Sequence, residues 1–150
     1  MSEDDGGRSG PRVVYNLDRI LDCHTHLTGM EGESAESIIE CMDFCGVEKA
    51  FLFAPMLDVR RHEITSDSLD DIRTHNDYCA DICSEAPERL LGFCTLNPHP
   101  GLAGGDLEGA VDLMVEEAGR CYHELGLRGA GELVATHWYP HACSPVLPLM

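Results

Sequence analysis

Ile20-Leu21-Asp22-Cys23-His24-Thr25-His26 is the stretch on which the fold turns. A short apolar run, Ile20-Leu21, delivers the chain into polar residues that continue to Thr28-Gly29, the pattern of a buried strand ending in a loop. Side chains alternate across a strand, so residues two apart project to the same side and the imidazoles of His24 and His26 can face one metal ion. A divalent ion of borderline softness suits two neutral imidazoles on rigid backbone. Taken alone, the pair reads equally as surface or hydrogen-bonded core histidines.

Working outward, Ser34 is an N-cap for a helix whose apolar positions, Ala35, Ile38, Ile39, Met42 and Cys45, recur at helical spacing before Gly46 stops it. Val47–Ala54 is then nearly continuous apolar sequence, as in a strand covered on both faces, and Pro55 closes it. Leu69, Ile72, Asn76, Cys79 and Cys83 form a second helical stripe, followed by a strand over Leu90–Leu96. Asp106 caps a third helix with Leu107, Ala110, Val111, Met114, Ala118, Cys121, Tyr122 and Leu125 facing inward, stopped by Gly126. Leu127–Val134 is the fourth strand. Asp58–Asp67 reads as a loop after the second strand.

Strand, helix and glycine thus recur at a spacing of about 30 to 40 residues, the sign of βαβ units and a parallel sheet. The fold class is α/β. Right-handed crossovers gather the carboxyl ends of the strands on one edge, where parallel α/β folds place their chemistry.

At 150 residues the chain has the size of one small domain, 43% hydrophobic and 25% charged, which is globular composition. Residues 1–12 are acidic and glycine-rich and read as a solvated tail, with order beginning near Val13. Ten basic against 27 acidic residues leave a formal charge of −17, a field that repels nucleic acid and anionic membrane surface. Lys49 is the only lysine, and so acidic a balance suits a salt-rich, halophilic cytoplasm. The eight cysteines are too few for a disulfide scaffold, and the amino terminus lacks a signal peptide, so a reducing cytoplasm is expected. No apolar run approaches the length of a membrane span. Cys41 with Cys45 and Cys79 with Cys83 are i, i+4 pairs that read as free thiols buried on helix packing faces.

The first strand resembles the signature of the amidohydrolase superfamily, metal-dependent enzymes built on a (β/α)8 TIM barrel. Gly46-Val47-Glu48-Lys49-Ala50, Asn76 with Ala86-Pro87-Glu88-Arg89-Leu90-Leu91-Gly92-Phe93, and Leu125-Gly126-Leu127-Arg128-Gly129 are similar to the branch that includes aromatic-acid decarboxylases. The resemblance implies that His24 and His26 are metal ligands and Asp22 a supporting residue of the same motif. It matches Glu132 to a position where some members carry a bridging ligand, although a carboxylate at a strand end is also a common solvated or capping group. His137, shortly after, is either a pocket-lining residue or a surface-loop histidine. Asp22 and Glu132 are the only candidates in the motif positions for handling the proton of an activated water.

The later parts that the family pattern requires, histidines after the fifth and sixth strands and an aspartate after the eighth, have no counterpart before Met150. The expectation is therefore an incomplete barrel of about four parallel strands and three intervening helices over residues 13–150, the amino-terminal half of such an enzyme. Its leading function is hydrolysis of a C–N or C–O bond in a small carbonyl substrate by metal-activated water. The rivals are a decarboxylase and a non-catalytic half-barrel that binds metal or a partner as a homo-oligomer through its open sheet edges. Zinc is the default ion for a nitrogen-rich hydrolytic site, with manganese, iron, nickel or cobalt fitting the same ligands.

Overall fold

The structure is a computed structural model and describes residues 19–55, 57–58, 63–64, 68–98 and 100–131. The predicted tail over residues 1–12 lies outside the described residues, as do the end of the fourth predicted strand, Glu132 and His137.

The elements in chain order are β1 (Ile20–His26), α1 (Ala35–Cys45), β2 (Val47–Phe53), β3 (Leu57–Asp58), β4 (Glu63–Ile64), α2 (Leu69–Glu85), β5 (Leu90–Cys94), α3 (Leu107–His123) and β6 (Gly129–Ala130). Strands β1, β2, β5 and β6 form one sheet in that order, with every pairing parallel. Each crossover steps the same way, so crossovers of one hand lay α1, α2 and α3 on the same face. The four parallel strands and three helices are those expected.

Local sequence explains the helix boundaries. Ser34 accepts from the Ser37 N–H while the Ser37 hydroxyl accepts from the Ser34 N–H, a reciprocal cap. Gly46 ends α1 at φ +75°, a left-handed conformation that costs glycine little, and its N–H bonds back to the carbonyls of Met42 and Asp43. Ser68 caps α2 through the Asp71 N–H, and Asp106 caps α3 through the Glu108 N–H.

The helix-facing side of the sheet carries Ala50, Leu52, Leu90 and Cys94, all buried, against Met42 of α1, Ile72, Cys79 and Cys83 of α2, and Met114 and Cys121 of α3. Burying a side chain such as Leu52, Ile72 or Leu90 contributes about 1.5–3 kcal/mol. Gly92 sits where there is no room for more, since a Cβ there would lie 2.5 Å from the Leu127 side chain and 3.0 Å from the Cys83 sulfur.

Five expectations need correcting. Strand β1, expected to be buried, has no buried residue, and Leu21 is 56% exposed. The predicted loop over Asp58–Asp67 contains an antiparallel ribbon, Leu57 opposite Ile64 and Asp58 opposite Glu63; two-residue strands are too short to show alternation. Cys41 and Cys45 are exposed, because only the Ala35–Met42 line of α1 reaches the sheet. Tyr122 is 62% exposed on the flank of α3. Glu117, missing from the predicted inner face, is fully buried there because arginines and an amide meet its charge.

Candidate functional site at the carboxyl end of the first strand

Perfect alternation would put Asp22, His24 and His26 on one side of β1. The strand departs from it. Asp22 pairs with Ala50 and Thr25 with Leu52, so three steps along β1 match two along β2, and the extra residue is a β-bulge. Asp22 and Thr25 therefore share the helix-facing side with Ala50 and Leu52, whereas His26 pairs with Phe53 on the opposite face.

Asp22 holds the bulge. One carboxylate oxygen accepts the His24 N–H at 2.9 Å and the other the Thr25 hydroxyl at 2.7 Å. These two bonds, the backbone N–H first, lower its pKa below the ordinary value. Behind the strand, Asp22 and Thr25 line a cleft of about 360 Å³ against α1, together with Glu33, Cys41, Met42 and Cys45.

On the front face the imidazoles of His24 and His26 converge, with their Nε2 atoms 2.9 Å apart and their ring centroids at 4.9 Å. Both residues are exposed. Their rings lie 4.9 and 5.6 Å from that of Phe53, which packs at 5.1 Å on Phe93, itself 5.2 Å from Phe51. A Cβ on Gly129 would strike Phe93 at 2.5 Å, and one on Gly131 would press on Phe53 at 3.1 Å, so the chain leaving β6 lies directly against this aromatic floor. Phe51-x-Phe53 puts two aromatics on one face of β2, but their meeting with Phe93 and the imidazoles depends on how the strands pair.

The imidazole pair fits a metal ion. Metal–nitrogen bonds of about 2.0–2.1 Å span about 2.9 Å, the separation of the two nitrogens, when they meet near a right angle as in octahedral coordination, and about 3.3–3.4 Å at the tetrahedral angle of zinc. At that distance one neutral imidazole can also donate to the other, so the pair holds together without an ion. Among the described residues no three His, Cys, Asp or Glu side chains stand together as a metal site. The structure thus brings together His24 and His26 and sends Asp22 to the other face; Glu132 and His137 lie outside the described residues. Among the described residues no helix is long and apolar enough to cross a membrane.

No family model and no curated protein matches the chain. Solved structures do. A dihydroxybenzoic acid decarboxylase from Polaromonas sp. JS666, with bound manganese and the inhibitor 2-nitroresorcinol, is similar at 19% identity and a TM-score of 0.52, over 76% of this chain and 38% of that one. 2,6-Dihydroxybenzoate decarboxylase from Rhizobium matches at 22% identity and 0.50, over 76% and 38%. 5-Carboxyvanillate decarboxylase from Sphingomonas paucimobilis matches at 17% identity and 0.50, over 75% and 42%. At these identities the likeness shows the fold alone, and the four parallel strands with three helices that the sequence leads one to expect are the fold observed. The chain spans about two fifths of their length.

Proposed function

We propose that this chain supplies the first metal-binding strand of a metal-dependent enzyme of the amidohydrolase type, acting on a small carbonyl or carboxyl substrate. The observation that carries the reading is the convergence of the His24 and His26 Nε2 atoms to 2.9 Å at the carboxyl end of β1. In this reading the two imidazoles hold a divalent cation, which when bound polarises a substrate oxygen or a water molecule.

The chain's own residues do the rest. Asp22 fixes the backbone from which His24 projects. Phe53 backs both rings, and Phe51 and Phe93 extend an apolar floor beside them. Two net reactions suit such a site. In hydrolysis, water adds its oxygen to the carbonyl carbon while the C–N or C–O bond breaks and the leaving group takes a proton. In decarboxylation, the C–C bond to the carboxylate breaks, carbon dioxide leaves and a proton takes its place. The neighbours reported above, together with an aromatic floor suited to stacking on a ring, support the second at least as well as the first. Manganese stands beside zinc as the candidate ion, since the Polaromonas protein carries it.

The test is metal content per chain, by elemental analysis of protein purified without chelator or affinity tag, then offered manganese or zinc and dialysed. Near-stoichiometric metal is expected, and it should vanish in a His24→Ala, His26→Ala double variant. Wild-type protein that retains neither ion would sink the metal-enzyme reading.

A further inference from the structure

The chain beyond His26 must turn back from the strand to α1, and its backbone is held in an unusual way. The Leu27 N–H still pairs with the Phe53 carbonyl at 3.0 Å, one residue past the end of β1. After that, Thr28 and Gly29 lie beyond the strand ladder. Glu33 takes over: its carboxylate accepts the Thr28 N–H at 3.0 Å, the Gly29 N–H at 2.9 Å and the Thr28 hydroxyl at 3.0 Å. Gly29, at φ +64°, turns the chain so that two successive N–H groups meet one anion. Tyr78, from α2, locks the arrangement by donating its hydroxyl to Glu33 at 3.0 Å. Glu33 lines the same rear cleft as Asp22, which holds the His24 N–H. The backbone on either side of the imidazole pair is thus gripped from behind the strand by a carboxylate.

We infer that Glu33, locked by Tyr78, is a positioning residue: it anchors the turn after β1 and so sets where His26 stands relative to His24. The inference rests on the metal-site reading above. Outer residues that orient metal ligands typically change affinity by 10–100-fold when altered, although they never touch the ion.

The experiment measures manganese(II) affinity of the full chain from the electron paramagnetic resonance signal of the free ion, in wild type, Glu33→Gln and Tyr78→Phe. Glu33→Gln should bind about tenfold more weakly, and Tyr78→Phe should shift the same way by less, with unchanged far-ultraviolet circular dichroism. If Glu33→Gln fails to fold, Tyr78→Phe, which keeps the carboxylate, decides. Wild-type binding with both variants within about twofold of it, even at lowered melting temperature, overturns the inference and leaves the metal site standing. Wild type that binds no manganese overturns the metal reading instead. Positioning is then judged from the imidazole NMR resonances of His24 and His26 in the metal-free variants: displaced resonances support it, and unmoved resonances overturn it.

Discussion

The carboxyl ends of β1 and β5 lie on the same edge of one sheet, yet they are held by opposite means. At β1 the grip is mostly local and partly in solvent: Asp22 reaches two and three residues ahead, Glu33 reaches back four and five, and of the distant residues Tyr78 of α2 steadies Glu33. At β5 it is long-range and buried. Asn76 of α2 donates to the Thr95 carbonyl at 3.2 Å and accepts its N–H at 2.7 Å, standing in for a neighbouring strand. Glu117 of α3, 41 residues away in sequence, accepts from Asn76 at 2.9 Å and is clamped by Arg120 through two contacts of 2.8 Å. If the β1 end takes a ligand, as proposed, it must stay open, and nearby residues brace it from behind. A strand end inside the core can be closed over by charged groups that satisfy one another.

The largest expected effect falls on the β5 side. Glu117→Gln would remove the anion that Arg120, Arg73 and Asn76 surround and should destabilise the protein by about 3 kcal/mol, measured by urea unfolding. The lower part of the usual range applies because Arg73 and Arg120 can turn toward water. Burial pushes the Glu117 pKa up, but Arg120, Asn76 and Cys121 more than offset it and hold the group at about 2, against an ordinary 4.5. A depressed folded-state pKa stabilises above the unfolded value, so the contribution is complete above pH 4.5 and disappears as pH falls toward 2. Wild type should lose roughly 3 kcal/mol over that window beyond what Glu117→Gln loses. Equal acid sensitivity of the two proteins would show that the buried pair adds nothing.

Next in size is Gly92→Ala, in the middle of β5. Its new methyl would meet Leu127, Cys83 and Cys79 at 2.5 to 3.2 Å, and overpacking of this kind costs about 1–3 kcal/mol. A drop in melting temperature is expected with no loss of manganese binding; weaker binding would mean that the two strand ends are coupled after all.

The smallest belongs to the open end. Asp22→Ala gives up two hydrogen bonds near the surface, for a loss of about 1 kcal/mol in thermal unfolding. A loss as large as that of Glu117→Gln would make the bulge part of the stability core and dissolve the contrast between the two ends.

The difference between the two ends is also a difference in legibility. At β1, His24, His26 and the caps at Ser34 and Gly46 could be read directly, since every signal lies within a turn or two of chain. At β5, Asn76 stands in the predicted stripe without a visible local reason, and Glu117 is absent from the predicted inner face of the third helix. Their partner is each other, across 41 residues, and no local pattern announces that.

The sequence alone determined the order of the parallel strands and the helices, the helix caps and the histidine pair, because hydrophobic period and end-capping are properties of short segments. Only the tertiary structure decided which face Asp22 occupies, since the bulge is a mismatch between β1 and the strand beside it and exists only in their pairing. The same holds for the burial of Glu117, the exposure of Cys41 and Cys45, and the aromatic floor under His24 and His26. Each depends on what packs against a residue from elsewhere in the chain, and burial is a property of that partner as much as of the residue itself.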